Sequence, residues 1–262
     1  RLATYRRGGL ETVQIGIEAL SSSLLIKMGK GTTAMDNITA MKLGCAAGIK
    51  VEGNLIIEFP TTSPEEIAET LAALDYVLPY RPLQIARFFL GYGSPISKLP
   101  QAYTIRAVTV HPNNKQLFPE NLHDNLTLMA QGYRGDRKKQ RQMWQPVRTK
   151  IKAWQVFHAN RRQTRPALSY RDGGEFLIIR QELTDGSSLH HRLRGLSRRI
   201  YLRCATPQSL NSLTTIFSPL PFAKLDAFCQ ELERKKLLFR EKDQVLALAI
   251  DQAALNGHTR VP

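Results

Sequence analysis

Val13-Gln14-Ile15-Gly16-Ile17-Glu18 and Gly53-Asn54-Leu55-Ile56-Ile57-Glu58-Phe59-Pro60 share one design, a short apolar run rich in β-branched residues that ends in an acid. Runs of this length with apolar residues on both faces suit strands buried between layers of helices. Residues 21 to 49 between them carry helical spacing. The product is strand, crossover helix, strand, with an acid at each carboxyl end, where α/β sheets place their chemistry.

Outward from this stretch the pattern repeats. Residues 1 to 9 read as the tail of a helix closed by Gly8 and Gly9. Ser21 to Met28 reads as a short helix stopped by Gly29-Lys30-Gly31, and Thr33 caps the next, which keeps helical spacing through Met35, Ile38, Met41 and Ala46 to Gly48. Ser63-Pro64-Glu65-Glu66 is a capping box with proline at the first helical position, and the helix it opens runs to about Leu78. Gln84 to Leu90 is a third strand, and Gly91-Tyr92-Gly93-Ser94-Pro95 turns the chain away. Residues 12 to 90 are therefore β-α-β-α-β, with right-handed parallel crossovers expected.

Residues 96 to 120 carry Pro100, Pro112 and Pro119 and read as irregular. Leu122 to Met129 and Arg137 to His158 read as helices, the second with Trp144, Val147, Ile151, Trp154 and Phe157 on one packing stripe and a possible kink at Pro146. Beyond Arg165-Pro166 the texture changes and a domain boundary is placed there. Leu168 to Arg180 reads as a hairpin around Asp172-Gly173-Gly174. Helices over Leu196 to Cys204, Ser209 to Phe217 and Phe222 to Lys236, then a hairpin over Leu237 to Ile250, give the pattern of a winged helix. Asp251 to Pro262 reads as a fraying tail.

Composition narrows the class. The 262 residues are 42% hydrophobic, enough for a sizeable core. No apolar run approaches the ~18 to 20 residues needed to span a bilayer, and no secretory signal opens the chain. Cys45, Cys204 and Cys229 are odd in number and lack metal or disulfide spacing, which fits a reduced cytosol. The six histidines lack metal-ligand spacing too, and the neighbouring His190-His191 reads as a solvated loop. The formal charge is +15, and between Arg134 and Arg165 the only acid is Asp136, an excess able to attract a polyanion or an acidic peptide.

The runs ending at Glu18 and Pro60, together with Met28-Gly29-Lys30-Gly31-Thr32, resemble the second half of a radical S-adenosylmethionine (SAM) barrel. The strand Asn54 to Pro60, Gly93-Ser94-Pro95-Ile96, Trp154 and the tail Glu233 to Glu241 are similar to the cobalamin-associated radical SAM maturases of ribosomally synthesised peptides. The resemblance implies an α/β fold: half of a partial (β/α)6 barrel over 1–100, a helical extension over 101–165, a winged-helix-like α+β domain over 166–250 and a tail over 251–262. It implies SAM held at the strand ends by Gly16, Glu18, Asn54 and Glu58, with Gln14 and Arg87 facing the same region, and Tyr92 and Ser94 on a substrate loop.

The family's 4Fe–4S cluster is held by a CxxxCxxC loop, which this sequence lacks. Cluster ligands are accordingly expected outside the chain, on the missing half of the barrel, and any cobalamin domain upstream of it. Two departures bear on Glu58: many relatives have Gly there, and Thr61-Thr62 replaces the usual Gly-Glu. Each site residue also has a plainer reading, as Glu18 would if it paired with a nearby lysine, and Tyr92 if it were a packed turn aromatic. The readings left open are a cytoplasmic enzyme fragment acting on a ribosomal peptide, a basic winged-helix module binding nucleic acid through residues 222 to 236, and an inactive remnant.

Overall fold

The computed structural model describes residues 2–123, 128–162 and 165–253. Its first third follows the strand-helix alternation. Thr12–Gln14 pairs in parallel with Lys50–Glu52, and Asn54–Ile57 pairs in parallel with Gln84–Arg87. A single parallel bridge, Glu18 to Leu55, joins the two pairs. Gly53 separates the segments of the middle strand because a Cβ there would lie 2.7 Å from the Ile15 carbonyl oxygen. Only glycine permits so close an approach. The described strands form small sheets, none of which closes into a barrel.

Helices Ser22–Lys27, Ala34–Ala46 and Pro64–Val77 cover one face of these strands. Capping boxes open the latter two, Thr33 with Asp36 and Ser63 with Glu66. Each satisfies backbone donors that a helix end otherwise leaves open. Ile17, Leu24, Ile38, Leu55, Ile57 and Val77 are fully or almost fully buried between the layers.

Several expectations are corrected between residues 84 and 165. The third strand ends at Arg87, and Leu90–Gly91 joins a different antiparallel sheet with Ala107–Val110 and Ala130–Arg134. That sheet was hidden because its strands are short and pair across a proline-rich stretch. Of the helix read over Leu122 to Met129, Leu122 and His123 belong to the helix Glu120–His123, residues 124–127 lie outside the described residues, and Leu128 and Met129 are not helical, with a strand opening at Ala130. Arg137 to His158 is two helices, Arg137–Met143 and Gln145–Asn160, divided at Trp144 just before Pro146. A proline is tolerated in a helix's first turn and not in its interior.

The last third holds strands Leu168–Asp172 and Phe176–Glu182, then Ser188–Arg194, which takes His190 and His191 out of the loop in which they were placed. Helices Gly195–Arg203, Leu210–Ile216 and Phe222–Arg234 and the hairpin Leu238–Glu241 with Gln244–Ala247 follow. Gln208–Ser209 adds a third strand to that hairpin, and Ile250–Asp251 pairs with Leu168–Asp172, so Asp251 belongs to the sheet and not to the tail. Residues 254–262 lie outside the described residues.

One continuous hydrophobic core runs from Ile17 through Trp154 to Ile250, across the boundary drawn at residue 166. Polar ties accompany it. The Tyr80 hydroxyl donates to the Leu248 carbonyl at 2.7 Å, Lys42 donates to the Ala205 carbonyl, and Glu241 accepts from the Met35 amide at 2.8 Å and from the Ser22 hydroxyl. Glu241 thus places a carboxylate at the amino end of the helix Ala34–Ala46, where the helix dipole favours it.

Cys204 and Cys229 are fully buried, and burial lifts the Cys204 thiol to about 12 and the Cys229 thiol to about 11. Both folded-state values exceed the ordinary thiol value of 9.0, so the folded chain retains protons that the unfolded chain loses. The thiols' contribution to stability is therefore undiminished below pH 9 and falls between pH 9 and about 11, each by about 1.4 kcal/mol per pH unit, partly offset by Lys42, whose pKa burial lowers to about 8. Urea midpoints measured in reductant at pH 8 and pH 10 read this loss as the difference between proteins: the parent should lose more stability over that interval than Cys204→Ala/Cys229→Ala. An identical decline in the variant would contradict the assignment.

Candidate functional site at the strand carboxyl ends

The face of the parallel strands turned away from the helices is polar and open. Parallel register sets Gln14 beside Glu52 and Asn54 beside Gln84. Side chains two apart on a strand share a face, so these four point the same way. All four are exposed, and with Gly53 and Arg81 they line a cavity of about 350 Å³. Arg87 is exposed, but its register partner is the buried Ile57, which puts it out of phase with Asn54. The expectation that Gln14 and Arg87 face one region is therefore corrected.

The first strand ends in a tight double turn. The Ile17 amide donates to the Ile15 carbonyl at 2.8 Å, and the Ala19 amide to the Ile17 carbonyl at 2.7 Å. Glu18 lies between with φ of 59°, in the left-handed region. A β-carbon makes that region costly by about 1 to 3 kcal/mol, so it persists only where the surroundings over-determine it. Here they do. The buried Asn37 amide donates to both the Ile17 carbonyl at 2.8 Å and the Ala19 carbonyl at 2.9 Å, and the Glu18 carbonyl accepts from the Ile56 amide at 2.8 Å. The Glu18 carboxylate meets Lys30 at 3.0 Å. Lys30 comes from the Gly29-Lys30-Gly31 turn, so the plainer reading of Glu18, pairing with a nearby lysine, describes its contact in this structure.

Gly16 is exposed beside this carboxylate. A Cβ there would stand 3.4 Å from Glu18 Oε1, so the glycine keeps the space next to the carboxylate clear.

Glu58 mirrors Glu18 in backbone, with φ of 61°, but not in partner. Arg148 from the helix Gln145–Asn160 pairs with it, and the Glu58 side chain is 14% exposed. Beside it, Asp136 Oδ2 accepts from the Thr61 amide at 3.1 Å and from Gln140 at 2.7 Å. The Thr61-Thr62 departure thus coincides with a structural lock: the helical extension closes over the end of the middle strand.

Of the two loop residues, Ser94 caps the helix Pro95–Lys98 by accepting from the Ser97 amide at 3.2 Å. Tyr92 is 61% exposed, which corrects its reading as a packed aromatic. It lines a second cavity of about 350 Å³ with Val108, His111, Asn114 and Phe118.

Sequence reasoning missed Asn37, Gln84 and the role of Arg148. Strand alternation from Asn54 would have found Gln84. Asn37 was visible only as a polar residue inside an apolar helix, and nothing local marked Arg148 among its basic neighbours.

The three cysteines do not offer an iron–sulfur site. Cys204 and Cys229 are sealed in the core, Cys45 sits half-buried in the helix Ala34–Ala46, and no group of three or more His, Cys, Asp or Glu among the described residues is placed to hold a metal.

No family model matches the chain. Over 66 residues it is 38% identical to a protein of Pyrococcus horikoshii described as an uncharacterized methyltransferase. The match covers 25% of this chain and spans 14% of that relative's length.

Asn37 gives this site its testable stability. Asn37→Leu strands the Ile17 and Ala19 carbonyls without their side-chain donor, at a cost of about 2 to 4 kcal/mol. Urea unfolding measures it, and a loss below ~0.5 kcal/mol would show that the double turn does not depend on Asn37.

Proposed function

We propose that the chain supplies the SAM-holding side of a radical SAM enzyme that modifies, by carbon methylation in the first instance, a ribosomally made peptide. The observation that carries the reading is Glu18, a partly exposed carboxylate fixed at a strand carboxyl end, next to a glycine that leaves space before it and beside an open polar face. The partial likeness to a methyltransferase is consistent with it.

When bound, SAM supplies an activated methyl sulfonium. The donor set fits its polar parts. Glu18 accepts from ribose hydroxyls or the ammonium group, and Lys30, at 3.0 Å, orients that carboxylate. Gln14 and Asn54 offer amides to hydroxyls along the open face. Glu58, already matched by Arg148, acts as a rim that holds the helical extension in place and is not a free acceptor. Cluster ligands, and any cobalamin site, belong outside the residues described here.

Peptide capture falls to the last third. Ser188–Arg194 is the edge of its sheet, bonded on one side to Phe176–Glu182, and it carries His190, Arg192 and Arg194 exposed. An acidic leader peptide added as a further strand would meet both the open backbone groups and the charge. The nucleic-acid reading has less support, because three of the cations around the helix Phe222–Arg234 are matched by acids: Arg234 and Lys235 pair with Glu231, and Arg240 with Asp226.

Calorimetric titration with SAM tests the proposal. The parent protein is expected to bind saturably, and Glu18→Ala to weaken binding about tenfold, the equivalent of one charge-assisted hydrogen bond. Glu175→Ala, at a distant exposed position, is the control and should leave it unchanged. Failure of the parent to bind, or equal affinity in Glu18→Ala, would contradict the reading.

A further inference from the structure

On the amino-terminal side of these strands lies a cavity of about 730 Å³ that shares Arg81 with the polar cavity beside Asn54 but includes none of Gln14, Glu18 or Asn54. Lys50 begins the middle strand, Arg81 precedes the third, and Arg6 comes from the first helix. Arg161, Arg165 and Arg171 reach the same space from the other side, and no carboxylate lines it.

Charge in this cavity is only partly compensated from outside. Glu11 approaches Arg6 at 3.6 Å, Glu52 approaches Arg81 at 3.8 Å, and Glu182 binds Arg161 at 3.0 Å. Lys50 and Arg171 have no carboxylate within ion-pair distance among the described residues, and Arg171 donates instead to the neutral Gln252 side chain. His158 adds little charge, because burial lowers its pKa from an ordinary value of 6.5.

The floor is different in kind. Pro79 and Pro166 are its partly exposed apolar lining, backed by the buried Met41, Ile49, Val51 and Tyr80. Cavities of about 300 to 1,000 Å³ with an apolar lining and a few convergent polar groups are the form small-molecule sites take. Clustered guanidinium groups match phosphate oxygens in number and geometry.

We propose that this cavity binds a phosphorylated small molecule with a planar or apolar body, the chemical class of the nucleoside phosphates. Phosphates sit among Lys50, Arg171 and the rim arginines, and the body lies against the apolar lining at Pro79 and Pro166. The site is separate from Glu18 and stands or falls independently of the SAM reading.

The test uses the whole chain and ADP as the probe, with pyrophosphate and adenosine as the arms that separate anion from body. ADP is expected to bind saturably and more tightly than either arm, and its affinity to drop as salt is raised. Lys50→Glu/Arg171→Glu reverses the two cations that lack a carboxylate and should lower ADP affinity at least about tenfold. Arg171→Gln alone, at an exposed position, should show a smaller loss in the same direction and serves if the double variant does not fold. Excess SAM should leave ADP bound. Absence of ADP binding, binding unaltered by the variants, displacement by SAM, or binding of a single-stranded oligonucleotide in place of ADP would each overturn the proposal.

Discussion

The structure turns on a single side-chain amide. Asn37, buried in the helix Ala34–Ala46, spans the end of the first strand and donates to the carbonyls on either side of Glu18. Without those two bonds the Ala19 carbonyl would lose its side-chain donor, the Ile17 carbonyl would keep only the Ala19 amide, and less would hold Glu18 in the left-handed region. Helix packing is thereby converted into the position of one carboxylate. The helix is itself pinned at its start by Thr33 and by Glu241, which arrives from the last hairpin of the chain. The candidate site near residue 18 is therefore coupled through one helix to residues more than two hundred positions away.

That coupling explains why the chain does not divide cleanly at residue 166. Tyr80, Lys42 and Glu241 each bridge the two sides with a hydrogen bond, and the apolar core is continuous beneath them. The sheet of the first third is covered by helices on one face and left polar on the other. Gln14, Glu52, Asn54 and Gln84 on that face make it a surface for a polar ligand or for further protein, while Ile17, Leu55 and Ile57 do the burying behind it. Glu18 and Glu58 look like twins in sequence and share a backbone conformation, yet Lys30 leaves one at an open edge and Arg148 closes over the other.

Much of the strand-helix alternation was legible because its signals are local: β-branched runs, capping boxes at Thr33 and Ser63, and glycine stops at Gly29 and Gly48. The acids at positions 18 and 58 were legible for the same reason. What failed was non-local. Ala107–Val110 and Ala130–Arg134 are strands only because they find each other and Leu90–Gly91 across a proline-rich stretch. Ser188–Arg194 gains its extended form from pairing with Phe176–Glu182, which no property of His190-His191 announces. The phase of Arg87 depends on register, and the partners of Glu18 and Glu58 depend on which helix returns to cover each strand end.

The central claim, that the open strand ends near Glu18 hold SAM, is tested most directly by amide hydrogen exchange with and without the cofactor. The account predicts that SAM slows exchange over Ile15–Ala19 and Asn54–Glu58 and in the turn at Lys30, leaving Ser188–Arg194 and the helix Phe222–Arg234 unchanged. Protection that appears elsewhere, or none at saturating SAM, would contradict it.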